Sequence, residues 1–175
     1  SEDGYSFYNL GVAYSGYTTT LTKVGVTNTM RIRGLLTDNG GTFAETGNWA
    51  TEIRGTGVSS GANIPYLTYW YSTTPIQAAT FQYFWASASP LTLGGDITVT
   101  GYFNPWDNTL SMGSYTATVK ELKLNNGTLN IQTGNLVFSN ALGLSTSTTS
   151  STLTAGPGAT ITGVAARSTF KSQNN

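Results

Sequence analysis

The chain has 175 residues, enough for one domain with a substantial core, and its 8 Lys plus Arg balance 8 Asp plus Glu to a formal net charge of zero. Cys and His are both absent, which excludes disulfides, thiolate nucleophiles, imidazole bases and Cys- or His-based metal sites. Only 9% of residues are charged, with no basic excess to neutralise phosphates, so nucleic acid is a poor partner. No apolar run approaches the roughly 18 residues of a membrane helix.

Polarity comes instead from Ser, Thr and 21 Gly. A neutral surface of hydroxyls and aromatics suits a chain that associates with copies of itself, or one that touches neutral glycans. No cofactor is implied. The opening Ser1-Glu2-Asp3-Gly4 lacks both Met and a signal peptide. It is read as a mature N-terminus after removal of a secretion signal, or as an expression boundary, and the expected location is extracellular.

Residues 5–26 read as one long strand or two short ones, with Tyr8, Leu10, Val12 and Tyr14 on one face. Met30 and Ile32 alternate with Arg31 and Arg33, the pattern of a half-buried strand with a basic outer face. Asp38-Asn39-Gly40-Gly41 reads as a turn, and 42–64 as short strands and loops broken by Gly.

The stretch from Pro65 to Pro90 concentrates the aromatic residues. Phe81, Tyr83 and Trp85 alternate with Gln82, Phe84 and Ala86, so a strand covered on both sides is expected at mid-core. Gly94-Gly95-Asp96 is a turn. Ile97, Val99, Gly101 and Phe103 then oppose Thr98, Thr100 and Tyr102, and Pro105 ends that strand.

Tyr115, Ala117 and Val119 mark the next strand. Asn126-Gly127 predicts a two-residue type I′ hairpin that pairs Leu124 with Leu129 and Leu122 with Ile131 on one apolar face. Leu136–Phe138 is a further strand, and the tract 145–154 is an edge strand or loop. Gly156-Pro157-Gly158 is a turn, and 160–166 forms a last strand. No internal repeat stands out, and no stretch has helical period. Many short strands between Gly and Pro turns predict an all-β, single-domain β-sandwich, jelly-roll or Ig-like, over 17–175, with an N-terminal strand at 1–16.

Carboxylates are the remaining candidate catalysts, and a glycosidase needs two facing each other across the bond. Asp38, Asp96 and Asp107 sit in turn contexts, Glu121 lies beside Lys120 and Lys123, and Glu45 and Glu52 flank Trp49 without pair geometry. The stretch YLTYWYSTTPI at 66–76 resembles the Tyr/Trp-rich strand pair of family-11 xylanases. That family's nucleophilic Glu follows a similar Pro-Leu-Ile and its acid/base Glu lies in a C-terminal strand. Here Gln77 follows Pro75-Ile76 and no acid follows Glu121. The chain is therefore expected not to be an enzyme.

Trp49, Trp70, Trp85 and Trp106 are candidates for stacking on a sugar ring, chiefly Trp106 in its Pro-containing loop and Trp49, whereas Trp85 is expected in the core. Gln77 or Asn104 would supply hydrogen bonds. Asn126-Gly127-Thr128 is an N-glycosylation acceptor sequence.

Tyr5, Phe7, Tyr8, Leu10, Val12 and Tyr14 form an apolar strand that can complete a neighbour's sheet. With the Ser/Thr tract at 145–154 and the near absence of charge, YSFYNLGVAYSGY resembles the donor strand of pilins, including archaeal threads and bundling pili. The resemblance implies an extracellular filament subunit, a glycosylated homopolymer built by strand donation, with a role in adhesion or biofilm. A secreted carbohydrate-binding domain is the alternative, and a viral coat or decoration jelly roll the third.

Overall fold

Each apolar stretch pairs with the stretch one coil further along the chain, and every pairing described is parallel. The computed structural model describes residues 4–14, 16–22, 28–39, 42–46, 49–88, 90–144, 151–164 and 169–172. The chain begins with β1 (Gly4–Phe7), β2 (Leu10–Tyr14), β3 (Thr18–Thr22), β4 (Asn28–Ile32), β5 (Leu35–Asn39), β6 (Thr42–Thr46), β7 (Trp49–Ile53) and β8 (Gly57–Val58). It continues with β9 (Ala62–Trp70), β10 (Ala79–Ala86), β11 (Leu91–Thr92), β12 (Ile97–Asn104), β13 (Thr109–Ser111) and β14 (Thr116–Leu124). It finishes with β15 (Thr128–Asn130), β16 (Asn135–Leu144), β17 (Thr152–Thr154), β18 (Thr160–Gly163) and β19 (Thr169–Ser172).

One ten-stranded sheet runs in the order β1-β4-β7-β9-β10-β12-β14-β16-β18, with β19 also on β16. A second wall is the sheet β11-β13-β15-β17, and smaller sheets β2-β5-β8 and β3-β6 belong to the first half. The chain leaves the main sheet after β12, crosses the second wall as β13 and re-enters the main sheet one position over as β14. This is a β-solenoid, in which the rest of each coil is the crossover that parallel neighbours require.

The finding corrects the expected β-sandwich. A solenoid strand has one face on the core and one on solvent, so its in–out alternation is the same as that of a sandwich strand. Composition and alternation identify the strands, and only the pairing separates the two folds.

The coil length is readable from register partners. Ala79 lies 17 residues after Ala62, Ile97 18 after Ala79, Ala117 20 after Ile97, and Leu136 19 after Ala117. A weak repeat accompanies it: Leu91-Thr92-Leu93, Leu110-Ser111-Met112 and Leu129-Asn130-Ile131 occupy equivalent places, each followed within a few residues by Gly. This is the periodicity missed in the chain. Its unequal steps hide it from a fixed-period comparison.

The core consists of like residues stacked coil upon coil. Leu91, Leu110 and Leu129 form one column, and Ile64, Phe81, Val99, Val119 and Phe138 another. All eight are buried, each burial being worth about 1.5–3 kcal/mol. Phe84 lies between Phe81 and Phe103, stacked at 4.3 Å and 5.4 Å between ring centroids.

Two further expectations are corrected. The Asn126-Gly127 hairpin is instead a corner of the coil: β14 pairs β12 and β16, and β15 pairs β13 and β17. Leu122, Leu124, Leu129 and Ile131 are all buried, but on different walls. Asn126 has φ +58°, and Gly127 is needed because a Cβ there would overlap the Pro105 carbonyl oxygen of the corner beneath. Strand donation also fails. β1 pairs β4 and β2 pairs β5 of the same chain, so Tyr5, Phe7, Leu10, Val12 and the backbone of Tyr14 already belong to their own sheets.

Candidate aromatic binding face

A β-bulge decides which aromatic rings reach solvent. The register between β10 and β12 shifts between Phe81 and Phe84, so both of these point inward instead of opposing each other. Tyr83 and Trp85 are left on the outer face, half-buried, where a strand covered on both sides was expected. Strict period-2 alternation placed Phe81, Tyr83 and Trp85 together, and one extra step in the pleat separates them.

Register then lines the outward side chains up across the coils. Arg31 partners Glu52, Glu52 partners Tyr69, Tyr69 partners Trp85, and Trp85 partners Asn104. Tyr69 meets Trp85 edge-on at 5.3 Å and stacks near Tyr71 at 6.2 Å. Tyr83 and Tyr102 pack at 4.9 Å, and Tyr102 lies 6.2 Å from Trp85. Trp106, in the corner after β12, folds back and stacks on Trp85 at 5.0 Å with 30° between ring planes. The corner is held by the Trp106 Nε1–H donating to Asp107 Oδ2 and by Asn108 Nδ2 donating to the Trp106 carbonyl at 2.7 Å. Tyr71 and Trp106 are the most exposed of these rings, at 41% and 39%.

Beside this row lies an open groove of about 330 Å³, lined by Leu67, Tyr83, Gly101, Tyr102, Lys120 and Glu121. It is at the lower end of the roughly 300–1,000 Å³ of small-ligand sites. Gly101 makes the groove's shape, since a Cβ there would overlap the Tyr83 ring. Cations border the face: the Arg54 guanidinium sits 4.6 Å from the Tyr71 centroid, and Lys123 Nζ 4.4 Å from that of Tyr102. Burial, followed by the neighbouring Tyr71, Tyr102 and Glu52, raises the pKa of the Tyr69 phenol.

Among the described residues the acids have partners that explain them structurally, while Glu2, Asp3 and the Glu45 side chain lie outside the described residues. Glu52 Oε2 accepts from Arg31 Nε at 3.0 Å and Arg54 Nε at 2.6 Å. Asp38, expected in a turn, is buried in β5 and accepts the Asn63 backbone N–H at 3.0 Å. Asp96 accepts that of Thr116 at 2.8 Å, and Glu121 lies 3.6 Å from Lys123 Nζ. Among the described residues no group of three or more His, Cys, Asp or Glu is placed to hold a metal ion. Among these residues no helix is long and apolar enough to cross a membrane.

Of the predicted sugar-stacking residues, Trp106 is on this face and Trp70 is fully buried in the core. Trp49 lies in β7, opposite Asn28 in register, with its side chain outside the described residues, as is that of Tyr14. Gln77 sits beside Gly94, away from the row, with its amide on the Pro75 carbonyl at 3.4 Å. Tyr8 is exposed at 77%. Asn126 is half-buried in the corner that stacks on the Trp106 corner, with Asp107 N–H donating to the Asn125 carbonyl at 3.2 Å. Tyr69, Tyr71, Tyr83 and Tyr102 were missed as site residues; the spacings of 16 residues from Tyr69 to Trp85, one short of the steps above because of the bulge, and of 19 from Tyr83 to Tyr102 are the signal that joins them. No family model, curated protein or solved structure matches the chain, so its function has to be argued from this face.

Proposed function

We propose that the protein is a non-catalytic glycan-binding β-solenoid that acts outside the cell and holds neutral saccharides on the outer face of its main sheet. The observation that carries this proposal is the continuous row Tyr69–Trp85–Trp106, flanked by Tyr71 and by the Tyr83–Tyr102 groove. Flat aromatic faces offer apolar contact to the C–H side of a pyranose, and bordering polar groups take its hydroxyls. Cross-strand aromatic pairs also stabilise a sheet by about 0.2–1 kcal/mol each, and that role alone would need no groove and no exposed Trp. Titration calorimetry with cellohexaose, xylohexaose and mannohexaose tests the assignment. Saturable binding to at least one of them, weakened by Trp106→Ala and by Tyr83→Ala, is the expected result. Heat signals indistinguishable from buffer for all three sugars would refute it.

A second proposal, self-association into a homopolymer, has its own observation. Tyr5 and Phe7 are the register partners of buried Met30 and Ile32, yet are 47% and 37% exposed. In this proposal a second copy covers that row end-on, without exchanging a strand. Sedimentation velocity on the Tyr5→Ser/Phe7→Ser double variant decides it: concentration-dependent assembly of the parent must disappear in the variant.

A further inference from the structure

We infer that Trp106 is a gate over a hydrogen-bonding recess made by the Asn104 amide and the Trp85 indole N–H, and that this recess reads one hydroxyl-bearing edge of the bound sugar. The inference rests on the glycan-binding proposal and adds the residue that sets its specificity. Asn104 and Trp85 are register partners on neighbouring strands. Phe84, Ala86 and Phe103 point into the core, and Asn104, between buried Phe103 and buried Pro105, is assigned to the outer side by its register with half-buried Trp85. An outward amide on a solenoid is normally solvated. Asn104 is 1% exposed, and neither its Nδ2 nor its Oδ1 has a hydrogen-bond partner. The Trp85 Nε1–H is buried and unpartnered in the same way.

Two donor groups and one acceptor are thus carried by two register partners, and the ring that stacks on one of them, Trp106, is itself 39% exposed. Orphaned buried polar groups cost stability and call for an explanation. An apolar residue of similar size at position 104 would avoid the cost if packing were the only demand. A ligand that presents an adjacent hydroxyl donor and acceptor matches the Asn amide and the indole N–H together. Trp106 belongs to a corner and not to a strand, so turning its ring aside gives up its Nε1–H bond to Asp107 but no sheet hydrogen bond. A site that pairs buried polar groups with substrate hydroxyls rejects analogues lacking them far more strongly than an apolar surface does.

The test is Asn104→Leu in the full chain, assayed with the hexasaccharide that the parent binds, together with fluorine NMR of 5-fluorotryptophan-labelled protein. The expected result is a melting temperature equal to or above the parent's, a loss of affinity of tenfold or more, and sugar-induced shifts of the Trp85 and Trp106 resonances with Trp70 unmoved. Parent-like affinity in Asn104→Leu overturns the gate while leaving the glycan proposal standing. So does an unmoved Trp106 resonance at saturation. If the parent binds no sugar, both fall. Should Asn104→Leu fail to fold, Asn104→Asp replaces it, with the same tenfold loss expected for sugars whose hydroxyl must accept from the amide.

Discussion

Trp106 stacks on Trp85 across one coil of the solenoid, although the two residues lie on opposite sides of a complete turn of chain. The contact puts a corner residue onto the face of the main sheet and joins the indole pair to Tyr69. Because Trp106 is partly exposed and outside the core, Trp106→Ala should leave thermal stability within about 1 kcal/mol of the parent. The same change should weaken sugar binding by about 1–3 kcal/mol, through lost stacking and burial. Parallel thermal melts and calorimetric titrations check both halves.

Phe84 holds the stacked core together. It is fully buried between Phe81 and Phe103 and meets Trp70 edge-on at 6.0 Å. Phe84→Ala should destabilise by about 3–5 kcal/mol, with Phe84→Leu milder, as measured by denaturant unfolding. A loss below 1 kcal/mol would show that the column collapses around the gap.

Gly127→Ala should destabilise by more than about 1 kcal/mol although it adds a single methyl group to a corner. Its Cβ would overlap the Pro105 carbonyl oxygen in the coil beneath, and neither backbone segment can move without disturbing the bond from Thr128 N–H to the Asn108 carbonyl at 2.8 Å. Equal unfolding midpoints for variant and parent would contradict this stacking of corners.

The raised Tyr69 pKa gives a pH dependence with a definite sign. The folded state holds the phenolic proton more tightly than the unfolded chain, whose Tyr titrates near 10. Stability from this group is complete below the unfolded pKa and is lost as pH rises through the folded one. Melting temperature should therefore fall more steeply above about pH 10 in the parent than in Tyr69→Phe, which has no proton to lose.

Glu52 joins two coils electrostatically. It is 8% exposed and pairs with Arg31 of the preceding coil and with Arg54 of its own strand's exit. Glu52→Gln removes the carboxylate charge that Arg31 and Arg54 share and should cost about 1–3 kcal/mol, less at high salt. Chemical unfolding at low and high sodium chloride measures the effect.

Much of the strand content was legible in the chain. The alternation of Ile97, Val99 and Phe103 with Thr98 and Tyr102 marks an inner and an outer face, and Met30 and Ile32 are buried between Arg31 and Arg33 as their pattern predicts. The absence of His and Cys, the zero net charge and the scarcity of acids follow from composition alone. Each depends only on residue identity or on the period of a strand, both of which are local.

What the tertiary structure decided is how those strands pair. Asn126-Gly127 satisfies the local chemistry of a hairpin, yet the strands on its two sides pair with the coils before and after them instead of with each other, and the turn becomes a corner. The bulge between Phe81 and Phe84 turns Tyr83 and Trp85 outward, a 16-residue register step aligns Tyr69 with Trp85, and the corner after β12 folds Trp106 back onto the same face. The candidate site exists because residues far apart in sequence share a row, and that row is set by long-range register rather than by any local motif.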